Sequence, residues 1–189
     1  MVRATVGSLV SLLRSRADAL PSRVPLIFAA AIVSCVSTTA RAPEPPELDT
    51  GPGARIQVGV VNVIDGDTIR VDLAGVDTPV RLIGIDTPEK DGPYTDEECF
   101  GEQASRYTAV ALQDRDVELE FDVQRTDRFD RLLAYIWLDG ELFNERILLD
   151  GLAVLATFPP DVRYVDRFAE AERRARNEGA GVWGACPVG

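Results

Sequence analysis

Hydrophobic and polar positions alternate in short runs along the middle of the chain, a pattern typical of strands with one buried face. Three such runs cover residues 56–64, 67–74 and 79–86. The dipeptide Asp65-Gly66 between the first two runs favours a two-residue hairpin turn whose central residues take positive φ. The sequence therefore predicts a β-hairpin followed by a third strand.

The rest of the chain adds three helical patterns and two strand patterns. Apolar residues recur at helical spacing over 100–113, 143–150 and 163–178, whereas 117–123 and 132–138 have the patterns of strands. Glycines directly after the last two helices provide stop signals. Five short strands with a helix between the third and the fourth predict an α+β fold. The expected architecture is a five-stranded, partly open β-barrel of the OB type with three helices.

Two charged residues interrupt the apolar faces of the predicted barrel. Asp67 shares one strand face with three apolar residues, and Arg81 lies inside the otherwise apolar run 80–85. A carboxylate on a buried face needs a cation or several donors to offset its desolvation. Strict alternation would place Arg81 and Asp86 on opposite faces, but Gly84 between them permits a bulge that lets both reach one site.

These two residues belong to a set of acids and arginines that suits phosphodiester chemistry. Arginine binds phosphate in a bidentate manner, two carboxylates with a carbonyl or hydroxyl suit Ca²⁺ or Mg²⁺, and a further carboxylate could polarise a water. The chain has no histidine, so a general base must be another residue type. Turn aspartates and surface ion pairs are the competing interpretation, which leaves an arginine within a central strand unexplained. The set consists of Asp65, Asp67, Arg81, Asp86, Glu89, Arg125, Arg128 and Arg131.

The N-terminal segment has the features of an export signal. Arginines precede an apolar run over 24–34 that is short for a membrane span, which takes about 20 residues. The run ends in Ile-Val-Ser-Cys. We therefore expect residues 1–35 to be a signal peptide of the lipoprotein type, with lipidated Cys35 anchoring an exported protein to a membrane. The alternative is an ordinary secretory signal cleaved near Ala40 or Ala42, which would release the protein.

A proline-rich, disordered tether is expected over residues 36–54, because Pro, Gly and small polar residues leave hardly any apolar content there. The folded domain is then expected over 55–187. Without residues 1–34 the chain has 16 basic and 30 acidic residues, a net charge of −14. This charge disfavours a polyanionic partner unless a local arginine cluster and a metal ion provide the binding.

Two of the three cysteines, Cys99 and Cys186, would remain in the exported domain. An oxidising compartment and an even number of cysteines favour a disulfide between them. The bridge would close a loop of about 87 residues and stabilise the fold by roughly 4–5 kcal/mol in the chain-entropy model. The alternative is two buried free thiols.

Three blocks of sequence follow one another with characteristic spacing. They are Val-Ile-Asp-Gly-Asp-Thr (63–68), Val-Arg-Leu-Ile-Gly-Ile-Asp-Thr-Pro-Glu (80–89) and Arg-Thr-Asp-Arg-Phe-Asp-Arg-Leu-Leu-Ala-Tyr (125–135). In these blocks, and in Gly-Val-Trp-Gly at 181–184, the chain resembles the staphylococcal nuclease (thermonuclease) family. The resemblance extends over about residues 58–184 and implies an OB-fold barrel with three helices.

The family likeness implies a Ca²⁺-dependent endonuclease that acts on DNA and RNA, uses one ion and leaves 3′-phosphate ends. It assigns the metal ligands to the carboxylates of Asp67 and Asp86 and to the backbone oxygen of Thr87. Asp65 would lie beside the metal as an indirect or water-mediated group. We expect the protein to act as a monomer.

The same likeness assigns roles in the reaction to residues of all three blocks. Glu89 would be the base that activates the attacking water. Arg81 and Arg131 would hold the phosphate and stabilise the charge of the five-coordinate transition state. Arg128 and Phe129 are weaker candidates for contacts with the substrate.

The sequence departs from the family pattern near the second arginine. Asp130 stands where glycine is common, and it could pair with Arg131 or Arg128 and weaken phosphate binding. Phe129 replaces a frequent tyrosine, which removes a hydroxyl but keeps a ring for stacking. Core positions, rather than base-stacking positions, are expected for the aromatic residues Phe129, Phe158 and Tyr164.

Two other functions are compatible with parts of the sequence. The first is a nucleic-acid-binding barrel without catalysis, against which the retained acids argue, because a binder needs no carboxylates facing phosphate. The second is an exported Ca²⁺-binding envelope lipoprotein, which explains the charge and the tether but leaves Arg81 and Arg131 without a role.

Overall fold

A computed structural model of the chain describes residues 51–93 and 96–186. The expected signal peptide, Cys35 and the expected tether up to residue 50 lie outside these residues. Within them, no helix combines the length and the apolar character needed to cross a membrane. The first strand begins at Arg55.

The described residues form eight strands, and six of them make one sheet that closes into a barrel. The eight are β1 (Arg55–Val63), β2 (Thr68–Leu73), β3 (Val76–Leu82), β4 (Ile85–Asp86), β5 (Asp116–Glu120), β6 (Leu132–Leu138), β7 (Glu141–Leu142) and β8 (Val154–Leu155). In the large sheet the order is β3-β2-β1-β5-β6-β7, and β3 also pairs in parallel with β6. This parallel pairing closes the barrel, so the predicted OB-type α+β fold is confirmed, with a closed rather than partly open sheet. A separate two-stranded sheet joins β4 to β8.

The three predicted helices are present and a single-turn helix follows them. They are α1 (Gly101–Leu112), α2 (Phe143–Leu149), α3 (Val165–Glu178) and α4 (Val182–Ala185). As predicted, Gly151 and Gly179 follow α2 and α3, and both take the left-handed conformation that ends a helix, with φ of 68° and 65°.

The core fills the barrel because alternate residues of its strands point inward. Ile69, Val80, Leu119 and Ile136 are completely buried, and burying each such side chain contributes about 1.5–3 kcal/mol. Phe168 of α3 covers one end of this core.

The hairpin between β1 and β2 is confirmed, but its turn differs from the prediction. The connection covers residues 64–67, and neither Asp65 nor Gly66 has positive φ. Gly66 is required for space instead, because a Cβ atom there would lie 2.6 Å from Thr87 Oγ1. Turns with two consecutive positive φ values occur instead at Ala74-Gly75, between β2 and β3, and at Asp139-Gly140, between β6 and β7.

Two elements have boundaries that differ from the prediction for a common reason. Strand β5 ends at Glu120 rather than at residue 123, and α3 begins at Val165 rather than at residue 163. Asp122 accepts a hydrogen bond from the backbone N–H of Arg163 at 3.0 Å. The same carboxylate accepts one from the Tyr135 hydroxyl at 3.0 Å, so tertiary contacts fix both segments outside regular structure.

The chain bends sharply after β3. Gly84 has φ of +81°, and a Cβ atom there would lie 2.7 Å from the ring of Phe168. The buried side chain of Asn144 fixes the bend through two hydrogen bonds of 2.8 Å. It donates one to the carbonyl of Ile83 and accepts the other from the N–H of Ile136. The bend brings the side chains of Arg81 and Asp86 together, as the sequence predicted.

Candidate active site

Asp67 is the buried anchor of the site. It follows the hairpin connection, and only 6% of its surface is exposed. Its Oδ2 atom accepts hydrogen bonds from the N–H and the hydroxyl of Thr87, at 2.9 and 3.1 Å. Its Oδ1 atom accepts one from the Thr68 hydroxyl at 3.1 Å and forms an ion pair with Arg81. These contacts offset the desolvation of the carboxylate and fix Thr87 beside it.

Arg81 bridges two carboxylates. Its Nη1 atom contacts Asp67, while Nη2 donates to Asp86 Oδ1 at 2.7 Å and to the carbonyl of Ile85 at 3.1 Å. Burial lowers the pKa of Arg81, the charge of Asp86 opposes this, and the charge of Arg131 adds to it. The guanidinium stays protonated at neutral pH, because the pKa of arginine starts far above it.

Glu89 presents an accessible carboxylate on the loop after β4. Its side chain is exposed and forms no hydrogen bond or ion pair with any other residue that the structure describes. Partial burial raises the pKa of Glu89, and the charges of Asp65, Asp86 and Glu98 raise it further. A carboxylate whose pKa is raised by its surroundings is a stronger base than an ordinary one.

Arg131 is held by a residue that the sequence motifs do not point to. Its Nε and Nη2 atoms both lie 2.7 Å from Asp127 Oδ2, and Nη1 lies 3.4 Å from the Thr68 hydroxyl. Asp127 Oδ1 accepts the backbone N–H groups of Phe129 and Arg131 at 2.9 and 3.0 Å. Burial raises the pKa of Asp127, but the hydrogen bonds from Arg131 outweigh it and the pKa is lowered. The only sequence signal for this contact is the four-residue spacing from Asp127 to Arg131.

The expected pairing of Asp130 is absent. Within the described residues, its side chain forms no ion pair with Arg128 or Arg131, and it is exposed. Asp130 has φ of 60°, the left-handed conformation that glycine usually takes and that aspartate tolerates better than most residues. Asp127, not Asp130, is therefore the carboxylate that restrains Arg131.

Two of the three aromatic residues expected in the core are exposed, which corrects that prediction. Phe129 is 63% exposed and Phe158 is 72% exposed, whereas Tyr164 is half-buried and lies 4.7 Å from the Tyr135 ring. The two phenylalanines line a cavity of about 470 Å³, and both candidate catalytic arginines, Arg81 and Arg131, line it too. The guanidinium of Arg128 lies 4.7 Å from the centre of the Phe129 ring.

The remaining predicted residues occupy different positions. Asp65 accepts the backbone N–H of Asp67 at 3.1 Å, and burial raises its pKa although the charge of Arg81 opposes the shift. Thr108 of α1, which the motifs do not indicate, donates to the carbonyl of Gly66 at 2.7 Å and supports the same connection. Arg125 lies outside the cluster, over the ring of Phe121 at 4.5 Å.

The predicted cysteine pair is joined in the structure, where the sulfur atoms of Cys99 and Cys186 are 2.04 Å apart. The bridge connects the turn before α1 to the residue after α4.

The donor set suits a hard cation in its chemistry. Asp67, Asp86 and the Thr87 carbonyl offer only oxygen, the ligand that Ca²⁺ prefers. Because one guanidinium contacts both carboxylates, Asp67 and Asp86 face the same small volume. In residues 51–93 and 96–186, no three acidic or cysteine side chains converge closely enough to hold a metal by themselves. A cation at this place would need main-chain oxygen and water as further ligands and would compete with Arg81.

Comparison with known proteins identifies this arrangement. Residues 79–185 match the family described as Staphylococcal nuclease homologue. The chain belongs to the staphylococcal nuclease family. It is 41% identical over 124 residues to a thermonuclease of Staphylococcus hyicus, covering 66% of this chain and 73% of the relative. A thermonuclease of Staphylococcus intermedius is 40% identical over 124 residues, covering 66% and 74%. Endonuclease YncB of Bacillus subtilis (strain 168) is 36% identical over 139 residues, covering 70% and 66%.

Proposed function

We propose that this protein is a Ca²⁺-dependent endonuclease that hydrolyses phosphodiester bonds of DNA and RNA and leaves 3′-phosphate ends. The staphylococcal nuclease family and its relatives named thermonuclease and endonuclease support a nuclease. The observation that carries the finer proposal is the convergence of Asp67 and Asp86 on Arg81, with Arg131 and the open carboxylate of Glu89 nearby.

The arginines bind and stabilise the reacting phosphate. Arg81 and Arg131 line one cavity together, and each guanidinium has edges that donate hydrogen bonds to phosphate oxygens. Charge builds up on those oxygens as the phosphorus becomes five-coordinate. Preorganised donors in a partly buried site stabilise that charge, and losing one costs about 10²–10³-fold in rate.

Glu89 removes a proton from the attacking water. Its carboxylate is exposed and has no competing partner among the described residues, so it can reach a water on the loop side of the site. The neighbouring acids that raise its pKa also make it more basic. General bases of this kind contribute about 10²–10⁴-fold.

Asp67, Asp86 and the Thr87 carbonyl would hold the ion. When bound, Ca²⁺ would supply Lewis-acid stabilisation and hold the substrate in place. Asp67 orients Thr87 through two hydrogen bonds, and Asp65 fixes the backbone of Asp67. The exposed phenylalanines Phe129 and Phe158 would stack on nucleobases next to the scissile phosphate, with Arg128 beside them.

The direct test is cleavage of plasmid DNA and of RNA by the purified protein with Ca²⁺, and with a chelator. We expect fragments to form when Ca²⁺ is present and not when the chelator is present. The fragments should carry 3′-phosphates that a phosphatase can remove. Binding without cleavage would favour the non-catalytic module. Absence of any interaction with nucleic acid would favour the envelope lipoprotein.

The chain offers a matched control for the metal site. Asp86 and Asp77 each have side chains that are 59% exposed, and each lies 2.7 Å from an arginine nitrogen. Asp86→Asn should weaken Ca²⁺ binding at least about tenfold in calorimetry and lower cleavage with it, since it removes an anionic ligand. Asp77→Asn, on the β2–β3 hairpin, should leave both unchanged, and equal effects of the two variants would contradict the proposed ligand set.

Export and membrane attachment complete the proposal. We infer from the sequence that residues 1–35 direct export and that Cys35 carries the lipid anchor. Labelled fatty acid should be incorporated into the wild-type protein and not into Cys35→Ser. Equal incorporation into both proteins, or none into the wild type, would contradict lipidation at Cys35.

A further inference from the structure

The backbone of Glu89 is clasped by Glu98. The N–H of Glu89 donates to Glu98 Oε2 at 3.0 Å, and the N–H of Glu98 donates to the carbonyl of Glu89 at 2.8 Å. One residue therefore satisfies both main-chain polar groups of Glu89 across the loop. A loop residue bound on both sides in this way has much less freedom than one held by water.

The clasp is fixed by close packing with the start of α1. Gly101 donates its N–H to the carbonyl of Glu98 at 2.9 Å. A Cβ atom at Gly101 would lie 1.9 Å from the carbonyl oxygen of Glu89 and 2.9 Å from the nitrogen of Lys90. Only a residue without a side chain allows the two segments to approach this closely.

The disulfide anchors the same segment to another part of the fold. Cys99 directly follows Glu98 and is bonded to Cys186. Cys186 donates its N–H to the carbonyl of Val182, and Val182 donates to the carbonyl of Gly151 at 2.9 Å. The bridge thus ties the clasp to the C-terminal end of the chain and the residues after α2.

On the other side, Glu89 follows Thr87, which Asp67 holds by two hydrogen bonds. The segment from Thr87 to Glu89 is therefore attached at both ends, to the barrel through Asp67 and to α1 through Glu98. A catalytic base must be held to within a fraction of an ångström, and a misplacement of 1 Å can cost about 10²-fold in rate.

We propose that Glu98, fixed in place by the adjacent Cys99–Cys186 disulfide, is a positioning residue that holds Glu89 for the hydrolysis of phosphodiester bonds. This inference rests on the proposed function, in which Glu89 is the base. The contact of Glu98 with the Glu89 backbone depends on its acceptor oxygen, because the donor is a neutral N–H. The charge of Glu98 separately raises the pKa of Glu89, and Glu98→Gln removes that charge while it keeps an acceptor oxygen.

The test compares Glu98→Ala, Glu98→Gln and Glu97→Ala in steady-state DNA cleavage at saturating Ca²⁺. Glu98→Ala removes the acceptor and should lower kcat about 10- to 100-fold, with KM within about twofold of the wild type. Glu98→Gln keeps an acceptor oxygen and should restore kcat to within about threefold of the wild type. Glu97→Ala removes an exposed neighbour on the same segment and should have no effect.

A second variant separates positioning from stability. Cys99→Ser/Cys186→Ser should lower kcat in addition to the unfolding temperature, whereas a purely stabilising bridge would lower the unfolding temperature alone. Faster hydrogen exchange at the Glu89 amide in Glu98→Ala would show the loosened clasp directly. Unchanged kcat in Glu98→Ala would overturn the inference.

Measuring Glu89→Gln alongside distinguishes the two proposals. An inactive Glu89→Gln with a fully active Glu98→Ala refutes only the positioning role. A fully active Glu89→Gln refutes the role of Glu89 in the proposed function.

Discussion

Two pairs of acidic residues differ in how many protein donors their carboxylate oxygens accept hydrogen bonds from. Glu120 and Asp122 form one pair, and Asp86 and Glu89, which we call the open pair, form the other. Glu120 is 3% exposed and accepts hydrogen bonds from Arg55, Trp137 and Tyr164, at 3.0, 2.6 and 2.9 Å. We call Glu120 and Asp122 the closed cluster.

The open pair has few protein partners. Asp86 pairs with Arg81, and the exposed carboxylate of Glu89 forms no hydrogen bond or ion pair with another described residue. The carboxylates of the closed cluster instead accept hydrogen bonds from several protein donors. Burial and then the charge of Asp122 raise the pKa of the Tyr135 hydroxyl. Acids with all their oxygens occupied stabilise a fold, whereas acids with unused oxygens are available for an ion or a proton.

Arg81 connects Asp86 of the open pair to Asp67 of the barrel, so we expect its replacement to have a large effect on the open pair. Arg81→Ala should lower DNA cleavage about 10²–10³-fold, because a donor to the transition state is lost. Ca²⁺ binding should be retained or tighter, because Asp67 and Asp86 lose a competing cation. Cleavage assays and calorimetry measure the two effects. Arg70→Ala is the control, since Arg70 also lies 2.7 Å from an aspartate on the barrel surface. Equal losses in both variants would contradict the assigned role.

Glu120→Gln tests the closed cluster. Removing a buried charge from its arginine and hydroxyl partners should lower the free energy of unfolding by about 2–3 kcal/mol. Urea denaturation measures this loss, and cleavage per folded molecule should be unchanged. Glu118→Gln, a half-exposed neighbour on the same strand, should change stability by less than about 0.5 kcal/mol. Loss of activity in a folded Glu120→Gln would show that the closed cluster takes part in catalysis.

Phe129→Ala tests whether the substrate-binding surface extends from the two arginines to the exposed ring of Phe129. The ring is exposed beside both arginines, and losing a stacking surface worth about 1–3 kcal/mol should raise KM about fivefold or more. Val76→Ala is the control, because Val76 is also 63% exposed but lies on the far hairpin. A KM unchanged in Phe129→Ala would exclude stacking at this position.

Asp127 is more buried than the open pair and less buried than Glu120, and it pairs with Arg131. Replacing it should have the smallest effect of these variants. Its pKa is lowered in the folded protein, so its stabilisation is complete above the unfolded-state pKa near 4 and is lost as pH falls through the lower folded value. Asp127→Asn should therefore reduce the fall in stability below about pH 4, measured by urea denaturation at several pH values. An identical acid dependence in the wild type and the variant would contradict this contribution.

Local patterns were sufficient to predict the five long strands of the barrel. The predicted strand 79–86 is divided into β3 and β4, and the two-residue strands β7 and β8 were not predicted. Strand β6 has its predicted bounds, and the bend at Gly84 joins Arg81 to Asp86 because one glycine can reverse the phase of an alternating strand. The pairing of Cys99 with Cys186 follows from having two cysteines left in the domain.

Contacts between distant segments could not be predicted in the same way. Gly66 has its role because Thr87 approaches it, and Glu98 because it meets Glu89 across a loop. Phenylalanine is a residue type typical of a core, but Phe129 and Phe158 are exposed because they line the cavity that Arg81 and Arg131 also line. Packing, rather than residue type, determines these features.

The central claim is that the open carboxylate of Glu89 is the base of a Ca²⁺-dependent nuclease, and Glu89→Gln tests it most directly. Single-turnover cleavage of DNA with Ca²⁺ should be slower by about 10³-fold or more, while Ca²⁺ affinity and unfolding temperature stay at wild-type values and Glu118→Gln stays fully active. Cleavage by Glu89→Gln within a few-fold of the wild-type rate would contradict the claim.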